Sequence, residues 1–219
     1  MLQAKIDDLK RQIVQYSDHI EKMIEKSICG LITRDMELLN TVIEEEETKA
    51  NILELELDKT CTTIMAQFQP MAKDLRTVLM IYDMSNAFER MGDHAVNISE
   101  SALSLIQHEP IKPFIDIPRM CEITIKMLND CIQAFIDESS KIAREVCERD
   151  SVIDDIRAQI LRELVTFMAE NPSIISDCLH ILRIADNLER IADLTTNICE
   201  DVIFIKKGEV IKHNKSAEG

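Results

Sequence analysis

The sequence predicts an all-α protein, a tandem duplication of an elongated antiparallel three-helix bundle with six helices. Three observations predict it. The 219 residues include 4 Gly, 5 Pro, 4% aromatics and no Trp, a composition poor in turn residues and strand formers. Apolar residues recur at threes and fours over long stretches. The stretch ERMGDHAVNISE (89–100) returns 100 positions later as ERIADLTTNICE (189–200), with Glu, Arg, Asp, Asn, Ile and Glu in the same places.

The first helix is expected over 2–29, where Ile6, Leu9, Ile13, Tyr16, Ile20, Met23 and Ile24 mark one face. The second, 31–69, carries Leu38, Leu39, Val42, Ile43, Ile52, Leu53, Leu57, Ile64 and Met65. Pro70 ends it, because proline lacks an N–H and constrains its predecessor. The third spans 71–107. HEPIKPFIDIP (108–118) holds three of the five prolines and sets the half-way boundary near Glu109. The second half is expected to repeat the pattern with helices over 116–138, 140–170 and 172–206, Pro172 breaking it where Pro70 breaks the first. EEEETKANILELELDKTC (44–61) corresponds to CERDSVIDDIRAQILREL (147–164). Two units follow, 1–109 and 110–206, then a polar tail over 207–219. Such helices run to about 45 Å at 1.5 Å per residue, and short turns force antiparallel neighbours.

Charge and composition exclude several functions. A net charge of −15 repels nucleic-acid backbones and disfavours anionic lipid. No apolar run is long enough to span a bilayer, and the charged, amphipathic MLQAKIDDLKRQIVQY does not read as a signal peptide. Cytoplasmic residence is expected, without nucleic-acid binding or membrane insertion. The 7 Cys are scattered, never as CxxC, and read as reduced core thiols rather than zinc ligands. No nucleophile–base pair or Gly-rich phosphate loop stands out, so no enzymatic activity is expected.

At 100° per residue Glu89, Asp93, Asn97 and Glu100 share about 80° of arc, opposite Phe88, Met91, Ala95 and Ile98. Asp186, Glu189, Asp193, Asn197 and Glu200 repeat the stripe. A polar stripe opposite an apolar one describes any surface helix. Yet a solvated face exchanges Glu for Lys at little cost, and like charges at i,i+4 repel. Retention of acids in both copies asks for a cation. Folding each hairpin about its turn sets Glu47 opposite Asp93, Asn51 opposite Glu89, Asp150 opposite Asp193 and Asp154 opposite Glu189. Oxygen donors select hard ions: iron, Mn, Mg or Ca. The candidate metal ligands are Glu89, Asp93, Glu189, Asp193, Asp150, Asp154, Glu47, Asn97, Asn197, Glu100 and Glu200. The Glu-x-x-His pairs of oxygen-activating di-iron bundles are missing. His94 points about 100° away from Asp93 and is assigned to packing. Arg90 and Arg190 are read as local ion-pair partners of the stripes, and Asp74 and Arg76 as helix-start charges. Two other readings remain open: solvated structural faces, and a carboxylate–metal hydrolase.

The two ERxxDxxxNIxE stretches, with QPMAKDLRTVL (69–79) and the acidic patches at 44–47 and 150–155, make the chain similar to the PhoU family of phosphate-transport regulators over nearly its whole length. The resemblance implies multinuclear metal clusters at Glu/Asp-x-x-x-Asp motifs, here Glu89/Asp93, Glu189/Asp193 and Asp150/Asp154. It implies action with the ATPase of a phosphate ABC importer and its sensor histidine kinase, repression of the phosphate-starvation response, and a homodimer. Two departures stand out. Asn51 replaces an expected carboxylate, so the first site is expected to be the weaker. Ala192 and Leu194 replace Gly92 and His94.

Overall fold

In the computed structural model, described over residues 2–207, every long element is helical, and no strand occurs among the described residues. Helix α1 (Leu2–Thr33) turns at Arg34–Asp35 into α2 (Met36–Thr41). A π-helical turn (Val42–Glu46) joins α2 to α3 (Glu47–Phe68) in one continuous rod. Then follow α4 (Ala72–Leu105), α5 (Asp116–Ile136), α6 (Ser140–Glu170), a 3₁₀ turn at Pro172–Ile174, and α7 (Ile175–Lys207). Counting the α2–α3 rod once gives six long helices. The expected tail, apart from Lys207, lies outside the described residues.

One expected boundary moves. Gly30 does not break α1; it lies buried inside it. Leu39 of α2 crosses so closely that a Cβ on Gly30 would meet the Leu39 Cγ and Cδ2 at 2.6 Å. The chain turns instead at Arg34, which adopts a left-handed φ of 58° and anchors its guanidinium on the carbonyls of Ile106 and His108 at 2.7 and 3.0 Å. The next helix in each half opens on a side-chain cap: Asp35 accepts from the Leu38 N–H, and Ser139 from the Ile142 N–H.

Helices α1, α3 and α4 pack as one unit and α5, α6 and α7 as the other, with α4 against α7 and α1 against α5 at the joint. His94 meets Asn187 and Asn97 meets Arg183, so α4 and α7 run antiparallel about an internal two-fold. One apolar core continues through both units. At its centre Tyr16 sets its ring edge-on to Phe88, centroids 5.6 Å apart.

Burial gives the repeat its register. Ile13 and Ile117, Tyr16 and Met120, and Leu31 and Phe135 are buried equivalents 104 positions apart. So are Leu39 and Ala143, and Val42 and Val146. Beyond the π turn the interval falls to 103, for Ala50 and Ile153, Leu57 and Ile160, and Cys61 and Leu164. The π turn is therefore one residue that the second half lacks, taken up inside a helix. Phe88 and Leu188, Met91 and Ile191, and Ile98 and Ile198 keep the interval of 100 on α4 and α7.

Candidate functional site

The expected hairpin register holds in the first half. A Cβ on Gly92 would touch Ala50, and the Cys61 thiol reaches the Val78 carbonyl. Two of the carboxylates that gather there, Glu89 and Asp93, are those expected, and two are not. Glu54 and Asp58, further along α3 than Asn51, join Glu89 and Asp93 of α4 around Tyr16, whose phenol feels all four negative charges. Burial, then Asp58 and Asp93, pushes the Glu54 carboxyl above the usual carboxylate range. Burial, then Asp93 and Glu54, does the same to Glu89 against the pull of Arg90. Burial alone raises Asp58. Asp58 Oδ1 and the Tyr16 hydroxyl are buried without a hydrogen-bond partner among the described residues. None of the four acids has a Lys, Arg or His within ion-pair distance among those residues. Glu47, expected opposite Asp93, is half-buried beside the π turn.

The second half differs residue by residue. Arg157 stands where Glu54 does and Leu161 where Asp58 does, while Asp154 and Asp186 replace Asn51 and Asn86. Glu189 is pushed up by burial and by Asp193, Asp154 and Asp186, but Arg157 opposes them. Arg157 Nε also donates to Asp186 Oδ1 at 2.7 Å. The second acidic face thus carries its own internal cation. Asp150 and Glu200 lie near the Cys147 thiol, towards the far end of that face.

Other candidates leave the stripe for the joint between halves. Asn97 Oδ1 accepts from Arg183 at 2.7 Å and Glu100 from the same guanidinium at 3.3 Å. His94, assigned to packing, is half-buried and bonds Asn187 at 2.8 Å across the joint; burial holds its pKa below the usual value. Asn197, with Asn97, His94, Arg90, Arg190, Asp93 and Asp193, lines a groove of about 390 Å³ along the two-fold. Neither Arg90 nor Arg190 forms the expected ion pair within 4 Å among the described residues. Asp74 lies in the first turn of α4, as expected.

Among the described residues no three His, Cys, Asp or Glu side chains are drawn tightly enough together to hold an ion as they stand. The donor set still suits a hard cation. It is all oxygen, mutually repelling in the first half, and includes the orphaned Asp58 Oδ1. Glu54 and Asp58 escaped a search built on the repeat because their counterparts are Arg157 and Leu161. The signal that finds them is periodicity: Glu54 and Asp58 are four apart on the α3 face that meets Tyr16.

The sequence pattern of the PhoU domain matches residues 13–102 and again 117–202. The chain is 34% identical over 214 residues to the phosphate-specific transport system accessory protein PhoU homolog of Aquifex aeolicus, covering 98% of this chain and 96% of that protein. It is 32% identical over 216 residues to the accessory protein PhoU of Escherichia coli strain K12, covering 96% and 87%. The crystal structure of PhoU from Pseudomonas aeruginosa superposes with a TM-score of 0.90 at 30% identity, covering 95% of this chain and 100% of that one. On sequence, on both repeats and on fold, the chain belongs to the PhoU family.

Proposed function

We propose that this PhoU-type protein is a metal-dependent regulatory adaptor of phosphate uptake. In this reading it works in the cytoplasm as a homodimer. It represses the phosphate-starvation response by contacting the ATPase of the phosphate importer and its sensor histidine kinase. The names of the relatives, accessory proteins of a phosphate-specific transport system, support the pathway. No helix among the described residues is long and apolar enough to cross a membrane, so contact with an importer would be made from one side of the bilayer.

The observation that carries the metal is the set of four carboxylates around Tyr16 without a cation of their own. Glu54, Asp58, Glu89 and Asp93 would hold an ion in the first half, and Asp150, Asp154, Glu189 and Asp193 in the second. When bound, iron, Mn, Mg or Ca would supply the positive charge the first face lacks and add to that of Arg157 in the second. The side chains come from α3 and α4 in the first half and from α6 and α7 in the second, so neutralising them would steady each hairpin and the surface it presents to a partner.

The test is elemental analysis of protein purified without chelators, as wild type, Glu89→Ala/Asp93→Ala and Glu189→Ala/Asp193→Ala, with a starvation-response reporter in cells carrying the same variants. Each double substitution is expected to lose its own share of metal and to release repression. Repression that survives loss of both shares detaches the metal from the mechanism. A wild type that neither carries nor takes up metal removes the sites altogether.

A further inference from the structure

Three thiols from three helices meet in the second half. The Cys131 thiol of α5 reaches the Thr195 carbonyl of α7 at 3.7 Å, and the Cys147 thiol of α6 reaches the neighbouring Thr196 carbonyl at 4.0 Å. Cys199 lies one turn further along α7, where it and the thiols of Cys131 and Cys147 influence one another's titration. Cys131 and Cys199 are fully buried, whereas Cys147 is partly open to solvent. The first half has nothing comparable. Ser27 and Ser99 stand where Cys131 and Cys199 do, and Ser27 bonds the Ile24 carbonyl of its own helix.

A buried thiol is an ordinary core residue, and one alone would carry no meaning. Thiols from neighbouring helices that converge on one stretch of α7 are different, because a tie between them needs little movement of either helix. We infer that Cys147 and Cys199 form an oxidation site, closing to a disulfide between α6 and α7 on exposure to a peroxide. Hydrogen peroxide transfers an oxygen to the accessible Cys147 sulfur, giving a sulfenic acid and water. The Cys199 sulfur then attacks that sulfur, its proton leaving with the hydroxyl as a second water. Two thiols lose two electrons in all, and one peroxide is reduced to two waters. Cys131, on the other side of Cys199, can exchange into the bond and release Cys147 as a free thiol.

Hydrogen bonding among the thiols, with burial behind it, pushes Cys147 and Cys199 up. Because Asp150 and Glu200 adjoin Cys147, the tie would clamp the two helices of the second acidic face.

The experiment treats the full folded chain with hydrogen peroxide, blocks remaining thiols at low pH, and maps cross-linked peptides by mass spectrometry. The exposed Cys29 serves as an internal sign that peroxide has acted. Expected are a peptide pair joined through Cys147 and Cys199, or through Cys131 and Cys199 after exchange, its reversal by dithiothreitol, and a higher melting temperature for the oxidised chain. Cys147→Ser should leave Cys199 reduced under the same treatment, while Cys199→Ser should leave a Cys147 sulfenic acid trappable by dimedone. Recovery of Cys147 and Cys199 as separate blocked peptides after Cys29 has reacted overturns the inference. So does a cross-link that appears only in denaturant, or conversion of Cys147 to sulfinic acid with no cross-link.

Discussion

In the first half Lys26 of α1 holds Glu46 beside the π turn at 3.0 Å, with Lys49 at 3.0 Å and His19 at 3.5 Å completing the cage. At the corresponding place in the second half the signs are exchanged: Asp130 of α5 stands for Lys26, and Arg149 of α6 pairs with it. Burial alone would raise the Glu46 carboxyl, but the hydrogen bonds from Lys26 and Lys49 prevail and hold it below the usual range. An ion pair asks only that its partners be opposite, so the pair survives inversion. Glu89 and Asp93 were not inverted; Glu189 and Asp193 repeat them with the same sign. An ion pair does not require that retention of sign at these two positions, whereas the cation proposed above would.

The sharpest way to break the comparison is to move the internal cation. Glu54→Arg gives the first half the arrangement of the second, and Arg157→Glu does the reverse. Glu54→Arg is expected to weaken metal uptake by the first half at least about tenfold in a calorimetric titration. Arg157→Glu should strengthen uptake by the second. Equal affinities before and after would mean that residue 54 faces no bound ion.

Core packing offers the next largest effect. Gly30 and Leu39 in the first half are matched by Ala134 and Ala143, the small residue having moved across the contact. Gly30→Ala drives a methyl into Leu39 and should cost about 1–3 kcal/mol in urea unfolding. Adding Leu39→Ala, which copies the second half, should recover part of that loss. A cycle without coupling would show that the two residues do not touch.

A smaller difference lies in pH. Glu54, Glu89 and Asp58 titrate above their ordinary values in the folded chain, so folding binds protons there. Stability from such groups is present in full below the ordinary carboxylate pKa of about 4.3 and is lost as pH rises through the raised values. Glu46 works in the opposite sense, losing its contribution as pH falls through its lowered value. Metal-free protein should therefore melt higher as pH is lowered from 7 towards the raised values, before Glu46 protonates. Glu54→Arg should flatten that rise, and an unchanged slope would assign it elsewhere.

The smallest test concerns how the long hairpins turn. Helix α3 closes on Gln69 with a left-handed φ of 45°, whereas α6 closes on an extended Asn171 at φ −140° that accepts from the Ser173 N–H. Gln69→Gly should gain roughly 0.5–1 kcal/mol by relieving that conformation. Asn171→Gly should gain nothing and lose a cap. Thermal melts of the two variants decide it.

Helix count and order were legible because Pro70, Pro172 and the proline-rich 108–118 segment mark the breaks that the apolar periodicity leaves open. The expected bounds 2–29 and 31–69 leave Gly30 as the break, but a glycine can also sit inside a helix where a neighbour crosses closely, as Leu39 does here. The acids of α4 and α7 were legible through their repetition. Glu54 and Asp58 were not, because an asymmetric site is invisible to a search for symmetry. His94 and Asn97 belong to the joint between halves, a surface created by the docking of α4 on α7 and by no local pattern.

The π turn at Val42–Glu46 behaves like a dislocation in a crystal, an extra row accommodated within a short disturbed core while the lattice on either side stays in phase. Leu39 before it and Ala50 after it both face the interior, so the mismatch has healed within about three turns. Length changes in a helix would ordinarily rotate everything downstream by about 100°. Here the slip falls among glutamates, Glu44 and Glu45 facing solvent while Glu46 is held inward by Lys26, Lys49 and His19. A helical protein can in this way accept or lose a single residue in mid-helix without re-indexing the face that follows.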